Sequence, residues 1–175
     1  MASEPNTVEQ ELFGEPNSKE LSETEASALL EQYKLFVSTS ESLVSRRQQV
    51  NTFFLSVNSI ILATIGLLIR GQTAPSIAGP ALVMLGLSGM VLCFAWHRMI
   101  SSFGQLNRGK FVVIHALERR LPARIFAAEW IALGEGKDQS KYKPFTRTES
   151  LTPWIFGVLE TTVFAVGIIL WFCRG

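Results

Sequence analysis

Three long apolar runs constrain what this chain can fold into more than any other feature. They cover residues 52–69, 77–96 and 153–172. Each has the length of about 18 to 20 residues that a helix needs to cross roughly 30 Å of hydrocarbon. A soluble chain of 175 residues could not easily bury three helices that are apolar on every side, because a surface helix shows only an apolar stripe. The sequence therefore predicts an all-α integral membrane protein with three transmembrane helices.

The basic residues predict the orientation of the chain in the membrane. Residues 1–51 hold 4 basic and 9 acidic side chains, and residues 98–152 hold 10 basic and 5 acidic ones. Only Arg70 lies between the first two spans, and only Arg174 follows the third. Because basic loops stay in the cytoplasm, we expect the N-terminus and the segment 98–152 inside, and the C-terminus outside. The first segment has a net charge of −5 and the second a net charge of +5. The two segments could attract each other within one subunit or between subunits, or their charges could reflect ordinary positive-inside bias beside a solvated acidic tail.

The polar segments are expected to form a helical cytoplasmic domain from residues 22–51 and 98–152. Ser22 and Glu25 have the spacing of a capping box, and no Pro or Gly follows until Gly66. Within 98–152 we expect the second span to continue to about Pro122, then a short helix over 123–133 and a polar loop over 134–152. The predicted divisions are a disordered acidic N-terminus (1–21), an amphipathic helix continuous with span one (22–51), transmembrane 1 (52–69), an outer turn (70–76), transmembrane 2 (77–97), the basic cytoplasmic segment (98–152), transmembrane 3 (153–172) and an outer tail (173–175).

Small residues recur at helical spacing on each span. Such faces let helices approach closely where lipid gives no hydrophobic driving force. They could build a bundle within one subunit or serve an oligomer. The predicted packing faces comprise Ser56, Ser59, Ala63 and Gly66 on span one, Gly79, Gly86 and Gly89 on span two, and Gly157, Thr161 and Ala165 on span three.

Glu160 is the one acidic residue within the spans. A carboxyl group at this depth is costly, so we expect it to face protein or water. One interpretation is a functional carboxylate in a cation or proton path. The other, which we favour, is a structural hydrogen bond between helices, with Asn58 or Thr64 as partner.

His97 and His115 are the only histidines. Histidine titrates near neutral pH, so either could be pH-responsive, although a lone histidine more often makes a plain polar contact. The charged and aromatic residues at the inner ends of the spans are expected to be membrane-interface anchors: Arg46, Arg47, Trp96, Arg98 and Trp154.

No motif for catalysis or metal binding is apparent, so we expect no enzyme, no cofactor and no metal. Gly134-Glu135-Gly136-Lys137 is a weak phosphate-loop candidate, because it follows a predicted helix rather than a strand. Cys93 and Cys173 lack metal-ligand spacing. The basic segment 98–152 is better suited to anionic lipid heads than to nucleic acid, because its charges are scattered among acids.

Several short motifs resemble the RipA-type family of small octameric bacterial inner-membrane proteins, over about residues 30–155. They are Tyr33-Lys34-Leu35-Phe36, Ser45-Arg46-Arg47-Gln48, Asn51-Thr52-Phe53-Phe54-Leu55, Asn58, Trp96-His97-Arg98, Gln105-Leu106-Asn107, Lys110-Phe111, Leu117-Glu118, Leu121-Pro122, Glu129-Trp130, Leu133-Gly134, Gly136-Lys137, Tyr142, Pro144 and Pro153-Trp154.

The resemblance implies a bacterial inner-membrane protein that assembles with itself, in eight copies, and it supplies no enzyme activity. The expected function is a non-enzymatic homo-oligomer acting as a ring-like scaffold or pore. The alternative is a membrane anchor or regulatory subunit for an unknown cytoplasmic protein.

Overall fold

A computed structural model describes residues 5–14, 21–71, 74–137, 140–141 and 145–174. Within these ranges the secondary structure is helical and no strand occurs. The helices are α1 (Pro5–Phe13), α2 (Glu23–Arg70), α3 (Pro75–Glu118), α4 (Ile125–Ala132) and α5 (Phe145–Arg174), with a 3₁₀ turn at Gly134–Gly136. Three of them, α2, α3 and α5, are long and apolar enough to cross a membrane. The prediction of an all-α protein with three transmembrane helices is confirmed.

The chain forms two compact units. The polar unit contains Met1–Ser45 and Phe103–Pro144, and the spanning unit contains Arg46–Ser102 and Phe145–Gly175. Both α2 and α3 contribute residues to each unit.

The predicted capping box begins α2. The Ser22 backbone N–H donates to the Glu25 carboxyl at 2.9 Å, and the Glu25 N–H donates back to Ser22 Oγ at 3.3 Å. This exchange satisfies N–H groups that have no partner inside a helix. From there α2 runs to Arg70 without a break, as the sequence predicts.

The N-terminus differs from its prediction. Residues 1–21 were expected to be disordered, yet Pro5–Phe13 is helical. The Arg120 guanidinium lies 4.4 Å from the centre of the Phe13 ring, and Arg119 pairs with Glu9 at 2.6 Å. These contacts with residues distant in sequence hold a segment whose composition alone favours disorder. The prediction is wrong for Pro5–Phe13, and residues 1–4 and 15–20 lie outside the described ranges.

Two spanning helices begin earlier than predicted. α3 begins at Pro75 rather than at residue 77, with proline at the first helical position, where no N–H bond is lost.

α5 begins at Phe145, so Pro153 lies inside the helix rather than opening it, and the polar loop from residue 134 ends before Phe145. A proline inside a helix removes one backbone hydrogen bond. In this first part of α5, Glu149 forms an ion pair at 3.4 Å with Arg47 of α2. The short helix expected over 123–133 is α4.

A buried carboxyl group organises the polar unit. Its apolar core contains Leu29 and Tyr33 of α2 with Ile114 and Leu117 of α3. Beside them, the fully buried Glu118 carboxyl accepts three hydrogen bonds. The donors are the Tyr33 hydroxyl at 3.0 Å and the backbone N–H groups of Phe126 at 2.8 Å and Ala127 at 3.2 Å.

Glu118 therefore caps α4 from another helix. The residue at the cap position, Arg124, makes no side-chain cap bond. The first N–H groups of a helix lack internal partners, and a negative group is stabilising there. Glu118 thus ties α4 to α3, while Tyr33 ties the same carboxyl to α2.

Glu118→Ala should loosen α4. The change leaves two backbone N–H groups and the Tyr33 hydroxyl without their acceptor, at a cost of about 2 kcal/mol or more in unfolding free energy. Hydrogen–deuterium exchange should show faster exchange over α4. Glu129→Ala, at an exposed position on α4, is the matched control and should leave exchange unchanged. Equal exchange in wild type and Glu118→Ala would contradict the capping role.

The Tyr33 hydroxyl should give the polar unit a dependence on alkaline pH. Burial, its hydrogen bond to Glu118 and the charge of that carboxyl raise the pKa of Tyr33 from 10.0 to about 12. Since the folded pKa lies above the unfolded one, this contribution to stability is complete below pH 10.0 and is lost as the pH rises towards about 12. The chain has two tyrosines, so the phenolate absorbance of wild type minus Tyr33→Phe isolates this group. A midpoint near 10.0 in that difference would contradict the interpretation.

Candidate functional site: the Asn58–Cys93–Glu160 cluster

Three polar side chains from three helices lie buried within the spanning unit. Asn58 of α2 and Glu160 of α5 are fully buried, and Cys93 of α3 is nearly so. The Asn58 amide donates to the Phe54 carbonyl oxygen at 2.8 Å, and the Cys93 thiol donates to Asn58 Oδ1 at 3.3 Å. Asn58 thereby links α2 to α3 by a side-chain hydrogen bond inside an apolar region, where such bonds hold helices together.

The Glu160 side chain occupies the space that a side chain at Gly89 would need. A Cβ atom built on Gly89 would lie 2.6 Å from Glu160 Cγ and 2.7 Å from Glu160 Oε2. Real atoms do not approach that closely, so glycine is required at this position as the helices now stand.

Both Glu160 carboxyl oxygens are buried and have no hydrogen-bond partner among the described residues. The expected hydrogen bond from Asn58 or Thr64 is not formed. Asn58 is engaged with Phe54 and Cys93. Thr64 is exposed and donates to the carbonyl oxygen of Ile60 at 2.9 Å. The geometry therefore gives Glu160 a packing contact with α3 but no polar link between helices.

Glycines bring α3 and α5 into backbone contact on the C-terminal side of Glu160 in α5. A Cβ at Gly86 would lie 2.8 Å from the backbone nitrogen of Phe164, and one at Gly79 would lie 2.9 Å from that of Trp171. From the other helix, a Cβ at Gly167 would lie 2.7 Å from the nitrogen of Val83. The contacts run in opposite directions along the two helices, so α3 and α5 are antiparallel neighbours in the spanning unit.

Other predicted packing residues have different surroundings. Gly157 is 3.8 Å from Cys93 Cβ, an ordinary contact, and Thr161 and Ala165 are exposed. On α2, the small residues face away from the rest of the spanning unit, and a Cβ at Gly66 would meet no atom within 4 Å. The exposed members on this helix are Ser56, Ser59, Ala63 and Gly66.

The cluster has no chemistry that indicates catalysis. Among the described residues, no group of three or more His, Cys, Asp or Glu could hold a metal ion. Cys93 has Asn58 as its hydrogen-bond partner rather than a base that would activate a nucleophile. What the arrangement does is fix three helices against one another.

Comparison with known proteins identifies the family. A model of the octameric membrane protein family matches residues 30–170. The chain belongs to the octameric membrane protein family. Neither a curated protein nor a solved structure matches it. The match confirms the resemblance to small octameric membrane proteins, whereas the RipA-type designation stays a prediction.

In this octameric-family protein, one predicted interface anchor is a core residue. Trp96 is 2% exposed, its ring stacks on Phe54 at 5.9 Å, and its indole N–H donates to Asn51 Oδ1 at 2.9 Å. The prediction treated an aromatic next to a cation as an anchor. The Asn51 carbonyl instead satisfies the indole N–H and allows the ring to be buried.

The other anchors divide into two kinds. Trp154 is 62% exposed, and Arg46 and Arg98 are also exposed, as interface residues would be. Arg47 is largely covered and pairs with Glu149.

The two histidines lie in different surroundings. His97 contacts the Trp154 ring edge-on at 5.6 Å between centroids, and its Nδ1 is buried without a hydrogen-bond partner in the described part of the chain. His115, in the polar unit, has its Nδ1 3.6 Å from Glu118 Oε2. The structure does not bring either histidine into the Asn58–Cys93–Glu160 cluster.

Sequence reasoning missed Glu118 and Asn51 as organising residues of this octameric-family protein. A signal for Glu118 was present in the sequence. The short helix after Pro122 has no Ser, Thr, Asp or Asn at its start, so its first N–H groups needed an acceptor from elsewhere.

Gly89→Ala should destabilise the spanning unit because the new methyl group would collide with the Glu160 carboxyl group. We expect the melting temperature in detergent to fall by several degrees, since about 1 kcal/mol corresponds to roughly 2–4 °C at this chain length. Gly109→Ala, at an exposed position on α3, has no atom within 4 Å of the added carbon and should be neutral or slightly stabilising. Gly89→Ala combined with Glu160→Ala should recover part of the loss. Equal melting temperatures for Gly89→Ala and Gly109→Ala would contradict this packing contact.

Proposed function

We propose that this protein is a non-enzymatic scaffold, built as a ring of eight copies in the bacterial inner membrane. The octameric family supports assembly with itself, and three spanning helices support a multi-pass membrane protein. In this proposal the N-terminus and the polar unit lie in the cytoplasm and the C-terminus lies outside, as the distribution of basic residues favours.

The position of Glu160 favours a scaffold over a pore, and it is the observation that carries this choice. A pore lined by Glu160 requires the carboxyl group to face a water-filled axis shared by the copies. The side chain is instead fully buried against Gly89 inside a single copy. Residues 52–69, 77–96 and 153–172 contain no other acidic or basic residue, so they supply no ring of charges for ion selection.

The exposed small residues of α2 support contact between copies. Gly79, Gly86 and Gly89 of α3 are used within one copy, against α5. Ser56, Ser59, Ala63 and Gly66 are exposed, and small residues on a spanning helix allow another helix to approach. We assign this face of α2 to the neighbouring copy.

The alternative is an anchor or regulatory subunit for a separate cytoplasmic protein. α4 supports it, because this helix has no buried residue and exposes Ile125, Trp130 and Ile131. Exposed apolar side chains grouped on one short helix are typical of an interaction surface. The exposed Arg46 and Arg98 are also suited to anionic lipid heads at the inner face.

A scaffold should not conduct ions. Liposomes containing the wild-type octamer and the Glu160→Gln variant should show the same ion flux as empty liposomes. Flux above that of empty liposomes that changes in Glu160→Gln would contradict the scaffold and favour a pore.

Ser59→Leu should weaken the assembly, because the larger side chain would hold a neighbouring helix away from α2. Native mass spectrometry should show fewer than eight copies or a mixture. Thr64→Leu is the matched control, since Thr64 is also exposed on α2 but lies off the small face; it should retain eight copies. Retention of eight copies by Ser59→Leu would remove this face from the interface.

A further inference from the structure

A groove of about 230 Å³ lies between α3 and α5 in the spanning unit. It opens where the close glycine contacts end. A Cβ at Gly86 would lie 2.8 Å from the backbone of α5, whereas a Cβ at Gly157 would lie 3.8 Å from Cys93 Cβ, an ordinary side-chain contact. The two helices therefore move apart towards His97 of α3 and Pro153 of α5. The lining of the groove includes Met90, Phe94, His97, Trp154, Gly157 and Val158.

This groove is apolar along most of its length and polar at one end. His97 directly follows the apolar run 77–96, and Trp154 lies at the start of the run 153–172. This end therefore lies at the level of the membrane surface. From His97 the groove reaches Met90, about 10 Å deeper in the hydrocarbon at the rise of a helix.

Two rings at the polar end can donate hydrogen bonds. His97 is half-buried, and its Nδ1 is buried without a hydrogen-bond partner in the described part of the chain. The Nε2 edge is therefore the polar part of this ring that a molecule in the groove can reach. A neutral imidazole carries one N–H, and the indole nitrogen of Trp154 is a donor only. This end is suited to a molecule that brings acceptor oxygens.

The size and rim of the groove favour a flexible chain over another helix. A helix with its side chains is about 10 Å across and would occupy several times the groove's volume over the same length. Dry apolar cavities of about 150 Å³ already hold a molecule as large as benzene. Bulky side chains line the groove, including Met90, Phe94 and Val158, whereas close approach of a second helix needs small ones. A phospholipid brings an acyl chain for the apolar part and ester and phosphate oxygens for the polar end.

We propose that this groove holds one phospholipid from the leaflet on the His97 side. One acyl chain lies between α3 and α5, and His97 Nε2 and the Trp154 indole N–H donate to ester or phosphate oxygens of the same lipid. The site lies within a single copy, so it does not rest on the proposed ring.

Native mass spectrometry of the full-length chain tests this site. Protein reconstituted in nanodiscs of phosphatidylethanolamine and phosphatidylglycerol in equal amounts, then released into mild detergent, should retain one phospholipid per chain. Val158→Phe fills the groove, and His97→Phe keeps a ring beside Trp154 but removes the donor, so each should reduce the retained lipid severalfold. Ile155→Phe is the matched control, because Ile155 is as exposed on α5 as Val158 but does not line the groove. It should retain lipid as wild type does.

Photocross-linking locates the lipid directly in the wild-type protein. A phosphatidylethanolamine with a diazirine in one acyl chain is added to the same nanodiscs, and the labelled peptides are mapped. The label should concentrate at Met90, Phe94 and Val158, and Val158→Phe should reduce it severalfold at the first two positions. This readout does not depend on whether a variant loses lipid through lower stability.

Three outcomes distinguish the site from its alternatives. Equal lipid retention in wild type, Val158→Phe and His97→Phe, or label spread evenly over the exposed residues of all three spanning helices, would overturn the site. Fewer copies in Val158→Phe with unchanged lipid would assign the groove to a neighbouring copy and overturn the lipid. A monomer that keeps its phospholipid would support this site and contradict the ring.

Discussion

The close approach of α3 and α5 is the constraint on which the rest of the spanning unit depends. Lipid gives no hydrophobic force between helices, so their association needs van der Waals contact at short range. Gly86 and Gly167 supply it, because each lies where a Cβ would meet the backbone of the opposite helix. Because Gly89 has no side chain, it leaves room for the Glu160 carboxyl group between the two closely spaced helices.

Two glutamates illustrate how the surroundings decide what a buried acid does. Glu118 and Glu160 are both fully buried. Glu118 accepts three hydrogen bonds and joins α2, α3 and α4 of the polar unit. Glu160 has no hydrogen-bond partner among the described residues and fills space beside a glycine. A buried polar group without a partner is costly. The contact that the structure shows for Glu160 is its packing against Gly89 within one copy.

Sequence patterns predicted the elements that depend on local rules. The three spans follow from the length of apolar runs, and the start of α2 follows from the Ser22–Glu25 spacing. The same patterns could not predict contacts between residues that are distant in sequence. Glu118 is an acceptor because the chain turns after it and places the backbone N–H groups of Phe126 and Ala127 within hydrogen-bond distance of its carboxyl group. The burial of Trp96 depends on Asn51, 45 residues away. In the early part of α5, Glu149 pairs with Arg47 of α2, and α1 contacts Arg119 and Arg120, which are distant in sequence.

Copies of this chain are proposed to assemble in the membrane, each of them complete in its own three-helix packing. The most direct test is the mass of the purified protein in nanodiscs, measured by native mass spectrometry. We expect one discrete species with a mass of eight times 19.4 kDa. A monomer in nanodiscs and in several mild detergents would contradict it.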